Sequence, residues 1–197
     1  MAVITISRQL GSLGTPVAET VAGRLGYRLV WRDLIDRAAR RAGAPEVALS
    51  TIDELGLLGF CPSPRACRAY RKAVDQVMHE LAAEGNAVIV GRAGQVILKD
   101  QPDAFHIQVI APAQERARRI AERDGITLRA AQARVRASDC FRRDYLQRFY
   151  RVRWDDPELY DLVVNTVHLS PAEAADLICP RLTERAQPIL SSQGAAF

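Results

Sequence analysis

With 197 residues, 48% of them hydrophobic and 25% charged, the chain is long enough for one α/β domain with a sizeable core. A net charge of +4 does not by itself mark a polyanion-binding protein, and no run approaches the roughly 18 apolar residues of a membrane span. The four cysteines, Cys61, Cys67, Cys140 and Cys179, show no C-x-x-C spacing, which argues against a disulfide framework or a zinc site. Met1 leads straight into strand-like residues, without the basic and apolar regions of a secretory signal, so a cytoplasmic location is expected.

Five strands are expected in chain order: Val3–Ser7, Arg28–Trp31, Ala87–Gly91, Phe105–Ala111 and Leu162–Thr166. The third and fifth are near-continuous apolar runs, which suits strands covered on both faces. Helical patterns separate them. Val17, Val21 and Leu25 repeat every four residues, and Tyr70, Ala73, Val74, Val77, Met78 and Leu81 make a longer amphipathic stripe. Ser170-Pro171-Ala172-Glu173 is a capping box with proline at the first helical position, and it opens the last helix. Alternating β and α elements of this kind predict a three-layer α/β/α sandwich around a five-stranded parallel sheet, as one domain over residues 1–186. Gly43–Arg65 reads as an irregular insertion, and Gln187–Phe197 as a frayed, disordered tail.

The chemistry concentrates where the first strand ends. In VITISRQLGSLGTPVA a β-branched run meets a glycine-bearing turn and then a helix, the arrangement in which backbone N–H groups converge on one anion. The alternative is a plain strand-to-helix turn that uses glycine for its positive φ. Laid over G-x-x-x-x-G-K-[ST], Arg8 takes the first glycine, Leu13 the second, Gly14 the lysine and Thr15 the Mg²⁺-binding hydroxyl. Gly11, Ser12 and Gly14 then supply the backbone curve, with positive φ expected at Gly14. The lysine is missing, and Arg8 at the strand end is the nearest cation to replace it.

Charge is uneven further on. From Arg116 to Arg153 there are twelve arginines against Glu122, Asp124, Asp139 and Asp144. A solvated helix face accounts for many of them. Nucleic acid is disfavoured, because the segment has no recognition-helix signature and no glycine-rich or aromatic RNA motif. A set of guanidinium groups beside a phosphate loop suits a nucleotide polyphosphate better. Asp139 and Arg142 share one helix face, three residues apart. Asp155, Asp156 and Asp161 read as caps and turns into the last strand rather than as metal ligands, and His79, His106 and His168 are too scattered for a catalytic role.

The markers ITISRQLGS, LGYRLVWRDLI, VIVGR, VIAPAQERARRIAER, SDCFRRDY and WDDPELYDLVVNT, in this order, resemble the cytidylate kinase-like proteins of the P-loop nucleoside-monophosphate kinase superfamily. The resemblance runs from about Ile4 to Ile178. It implies a monophosphate-binding arm over about 43–85, a lid-like helical segment over 128–155, and ATP with Mg²⁺ as phosphoryl donor. It also implies roles. Arg116 and Arg119 match the R-x-x-R that flanks the donor nucleotide, although a solvated helix face is an equal alternative. Arg142, with Arg143 second, matches the lid arginines that cover the transferring phosphoryl group, with Asp139 alongside. Arg92 matches the arginine of a G-R-D motif on the acceptor phosphate, but Ala93 replaces the aspartate. Similar proteins carry aspartate at Trp31, ahead of the basic and acidic pair Arg32-Asp33; Trp31 either stacks on a base or packs in the core. Many members also carry an arginine where this chain has Thr15.

The expected function is therefore that of a nucleotide-binding phosphotransferase, moving the terminal phosphate of ATP to a nucleoside monophosphate or a similar small acceptor. The alternative is a non-catalytic nucleotide-binding or regulatory protein that kept the fold and lost the chemistry. No membrane partner is expected. A basic nucleic-acid-binding module rests on the arginine-rich segment alone.

Overall fold

β1 (Val3–Arg8) is buried along its whole length and forms the centre of the sheet. The computed structural model describes residues 2–41, 43 and 64–186. Among these, β1 is followed by α1 (Gly14–Leu25), β2 (Arg28–Val30), α2 (Arg32–Arg41), α3 (Pro64–Glu84), β3 (Ala87–Val90) and α4 (Gly94–Ile97). Then come β4 (Ala104–Ile110), α5 (Ala113–Asp124), α6 (Leu128–Tyr150), a 3-10 turn at Pro157–Leu159, β5 (Leu162–Asn165) and α7 (Pro171–Ala186). The sheet has five parallel strands in the order β2-β3-β1-β4-β5. Residues 44–63, which belong to the insertion expected over Gly43–Arg65 and to the arm expected over about 43–85, lie outside the described residues, Cys61 among them, as does the tail expected over 187–197.

Alternation along the strands serves two cores. Val3, Ala87, Ile89 and Ala104 face α2 and α3, where Val74, Val77, Met78 and Leu81 meet them. Ile4, Ile6, Val88, Val90, Ile107 and Val109 face α1 and α7. This double burial explains why the strands read as unbroken apolar runs. All six residues of the amphipathic stripe on α3 are buried, and the capping box forms as expected: Ser170 Oγ accepts from the Glu173 amide at 3.2 Å while Glu173 Oε2 accepts from the Ser170 amide at 2.8 Å. The acidic segment behaves as caps. Asp156 accepts from the Glu158 amide at 3.1 Å, and Asp161 accepts from the His106 amide at 2.7 Å.

The strand order fixes where the site lies. From β1 the chain departs toward β2, and from β4 it departs toward β5, so the exits of these two neighbours diverge. A crevice opens at such a switch point, outside the carboxyl ends of the strands. Gln9 bridges it: its amide donates to Val109 O at 3.1 Å, and its side-chain Oε1 accepts from the Ala111 amide at 3.0 Å. Beyond β4, α5 and α6 pack on each other through a separate small cluster of Ala117, Ile120, Ala131 and Val135. Ile107 sits fully buried between Ile6 and Leu162 at the sheet centre. Ile107→Ala should cost about 2–5 kcal/mol, read as a lower urea midpoint with an unchanged slope.

Candidate functional site

Beyond Arg8 the chain reverses in one tight turn. The Ser12 amide and hydroxyl both donate to Gln9 O, at 3.2 and 2.9 Å, and buried Thr166 at the end of β5 donates from Oγ1 to Ser12 O at 2.7 Å. Gly11 has φ +81°, and a Cβ there would lie 2.7 Å from the carbonyl oxygen of Arg116. Leu13, at φ 60°, caps α1 without any side-chain hydrogen bond. Pro16 has no N–H and the Val17 amide donates to Leu13 O at 2.9 Å, so the amides of Gly14 and Thr15 are left for a ligand, and an anion is what they select.

Gly14 departs from the sequence reading. Its φ is not positive; the left-handed residues are Gly11 and Leu13, and Gly14 is the first residue of α1. It must be glycine for a different reason. A Cβ at this position would sit 2.3 Å from Arg8 Cβ and 2.8 Å from Arg8 Cγ. The stem of Arg8 fills the space that a lysine at position 14 would need. Arg8 is itself only 7% exposed, and it lines a cavity of about 310 Å³ together with Gly11, Gly14, Thr15, Arg119 and Arg142.

The other arginines divide into two groups. Arg116, read from the sequence as flanking a donor nucleotide, points inward. Its Nη1 and Nη2 donate to the two oxygens of Asp139 at 3.0 and 2.7 Å, its Nε donates to Ala111 O at 2.9 Å, and Nη1 also reaches Leu10 O at 3.4 Å. Asp139 is consequently engaged by Arg116 rather than turned toward a substrate. Arg119 donates to the Thr166 carbonyl at 2.7 Å and to Glu115 at 2.9 Å, while remaining at the cavity wall. Arg142 donates to Ser138 Oγ, and its guanidinium carbon lies 5.8 Å from the centroid of the Trp154 ring. Arg143 is exposed, donates to Asp139 O at 3.4 Å and does not line the cavity.

On the acceptor side, three consecutive left-handed residues, Gly91, Arg92 and Ala93, turn the chain out of β3 into α4. Arg92 Nη2 is shielded from solvent and meets no hydrogen-bond partner among the described residues. A buried N–H of this kind favours an anion, since leaving it unpaired is costly. Ala93 is buried against Leu146 and Trp154. Trp31 is half-buried and packs on the cluster under α1 and α7. Asp33 is exposed in the first turn of α2, and the Arg32 side chain lies outside the described residues.

Sequence reasoning missed the residues that hold this site from behind. Trp154 donates from Nε1 to Ser7 Oγ at 2.9 Å, and its carbonyl accepts from Tyr160 at 2.8 Å and from Gln108 at 3.2 Å. Burial pushes the Tyr160 phenol up to about 12, so it stays a donor at neutral pH. The one available signal was a tryptophan placed directly before the acidic turn.

A sequence profile of the cytidylate kinase-like family matches residues 3–168, from β1 through α6 to just beyond β5. The chain belongs to the cytidylate kinase-like family. Among its relatives, the cytidylate kinase of Pyrobaculum aerophilum is 32% identical, with 93% of this chain and 96% of the relative covered. That of Pyrococcus horikoshii is 31% identical, with 86% and 82% covered. Two solved structures share the fold: an uncharacterized protein from Eubacterium ventriosum, at TM-score 0.73 and 22% identity over 93% of this chain and 99% of that one, and a shikimate kinase from Acinetobacter baumannii in complex with shikimate, at 0.55 and 15% over 93% and 94%. As a member of the cytidylate kinase-like family the chain is a nucleotide-binding P-loop phosphotransferase, and the family implies ATP as a substrate.

Among the described residues no three His, Cys, Asp or Glu side chains form a metal cage, and no helix is long and apolar enough to cross a membrane. A Mg²⁺ ion carried by a triphosphate needs only one or two protein oxygens, and the Thr15 hydroxyl at the cavity wall fits that need. The contact between Gly14 and Arg8 gives a direct test. Gly14→Ala should destabilise the fold by about 1–3 kcal/mol, lowering Tm by roughly 2–4 °C per kcal/mol, and Gly14→Lys should do more damage rather than restore a phosphate lysine. An unchanged melting curve for Gly14→Ala would mean that Arg8 yields freely.

Proposed function

We propose that the chain transfers the terminal phosphate of ATP to a nucleoside monophosphate, with Arg8 supplying the charge that a lysine supplies in other phosphate loops. The observation that carries this reading is the convergence of Arg8 and Arg142, from β1 and α6, on the uncapped start of α1 within one cavity. Phosphoryl transfer asks a protein mainly to hold donor and acceptor in line and to neutralise charge on the transferring oxygens. The backbone N–H groups at the start of α1 bind the triphosphate, and Arg8 and Arg142 meet its charge from two sides. Thr15 is the residue that would hold Mg²⁺, which supplies charge neutralisation between the phosphates when bound. Arg92, with its buried Nη2, takes the acceptor phosphate. Arg119 supports the loop through Thr166, and Arg116 with Asp139 serves as a structural brace.

The test is a coupled assay with each nucleoside monophosphate and Mg-ATP, run beside calorimetry for ATP. Arg8→Ala should weaken ATP binding and lower turnover by about 10²-fold, while Arg8→Lys should recover part of the loss, because charge returns without the bidentate fork. Arg142→Ala should lower kcat by on the order of 10²-fold with a smaller change in ATP affinity, as for a group that acts on developing charge. ATP binding without turnover in the wild type, insensitive to Arg8→Ala, would instead support the non-catalytic alternative.

A further inference from the structure

Arg142 does not reach the phosphate cavity from a freely rotating stem. Its guanidinium is held between the Ser138 hydroxyl, one turn earlier on α6, and the face of Trp154, beyond the end of that helix. Trp154 is 5% exposed and is itself fixed from three elements. Its indole N–H reaches Ser7 on β1, next to Arg8, at 2.9 Å; its carbonyl takes the Gln108 amide of β4 and the Tyr160 hydroxyl. Tyr160 is steadied in turn by Gln95 of α4 at 3.3 Å. The ring also packs on Ala93, beside Arg92. One indole therefore touches the lid arginine with its face, the donor-side strand with its edge and the acceptor-side turn with its flank.

We infer that Trp154 is a positioning residue for phosphoryl transfer, one that aims Arg142 at the phosphate cavity and ties its placement to the strand end that carries Arg8. The inference rests on the kinase reading for its kinetic consequence, but not for its geometry. A guanidinium over the face of a buried indole is attracted by the ring quadrupole, and a catalytic cation pre-aimed in this way pays less ordering entropy during reaction. The indole N–H bond to Ser7 sets the plane of the ring. Without that bond the face still exists but turns more freely; without the ring Arg142 loses the contact that reaches it from beyond the end of its own helix.

The decisive comparison is Trp154→Phe against Trp154→Leu. Both keep an apolar side chain against Ala93 and Leu146, so both carry the packing cost of losing an indole. Only Phe keeps an aromatic face. The expected result is a kcat within about threefold of wild type for Trp154→Phe and about tenfold lower for Trp154→Leu, with KM for ATP nearly constant in both. In an Arg142→Ala background, Trp154→Leu should cause no further loss, because the ring then has no guanidinium to aim. Equal kcat for the Phe and Leu variants, or a full tenfold loss from Trp154→Leu in the Arg142→Ala background, would overturn the assignment.

A second measurement needs no turnover. The chain has two tryptophans, so in Trp31→Phe the emission comes from Trp154 alone. Arg142→Ala in that background should red-shift the emission, as the covering cation is lost and water approaches the ring. An unchanged spectrum would overturn the proposed contact even in an active enzyme. Wild-type protein with no turnover would sink the kinase reading alone, and the emission would still decide whether Trp154 holds Arg142.

Discussion

The fork between Arg116 and Asp139 joins three parts of the site. Arg116 has a side chain only 4% exposed and Asp139 one 19% exposed, so both charges are largely withdrawn from water. Such a pair does not guarantee stability, because desolvation can cancel the attraction unless the remaining donors are also satisfied. Here Nε is used on Ala111 O and Nη1 also reaches Leu10 O. Leu10 belongs to the phosphate loop, Ala111 to the exit of β4, and Asp139 to α6. Loop, strand end and helix therefore converge on one guanidinium. Gly11 follows from the same constraint, since the loop approaches the backbone of Arg116 so closely that a Cβ would meet its carbonyl oxygen.

With the loop braced in this way, the missing lysine becomes a matter of exchange between two positions. In the usual arrangement a side chain leaves the first turn of the helix and curls back over the phosphates. Here that first position is glycine, and the vacated volume is occupied by the Cβ and Cγ of Arg8, coming up from the strand. A cationic side chain stands at the end of β1 and none at the first helical position. A planar fork in place of a point charge favours two phosphate oxygens at once over a single one. The contact constrains position 14 above all, because any side chain there meets the stem of Arg8.

The layers and elements were legible in the sequence because they rest on local signals: alternating apolar runs, the stripe from Tyr70 to Leu81, and the box at Ser170–Glu173. Strand ends shifted by a residue, as at Arg8 and Ala104, where polar or small residues continue the ladder without altering the apolar pattern. The cavity was legible as a segment, since Arg8, Gly11, Gly14, Thr15, Arg119 and Arg142 all line it. What the sequence could not separate was inward from outward among the arginines. Arg116 and Arg119 stand three apart on one helix, yet the partners that pull Arg116 in lie at Leu10 and Asp139, far away in the chain. The same holds for Trp154, whose meaning depends on Ser7, 147 residues earlier.

The departure on the acceptor side has the same physical form as the one in the loop. Cytidylate kinases carry an aspartate after the arginine of the β3 turn; this chain carries Ala93, at φ 58° and 5% exposed. The volume around it is filled by Leu146 and Trp154, with Tyr145, Tyr150 and Val152 at the margin. A carboxylate at this position would be buried among apolar and aromatic groups, where an unpaired charge is expensive. Pairing it with Arg92 would occupy Arg92 Nη2, which meets no hydrogen-bond partner among the described residues. Alanine avoids both costs. It lets α6 settle on the turn through Leu146. At both places side chains from other elements stand where a larger residue would go, Arg8 beside Gly14 and Leu146 with Trp154 around Ala93. A larger residue placed singly at position 14 or 93 therefore meets a filled space, so a change at either position calls for a change in its neighbour as well.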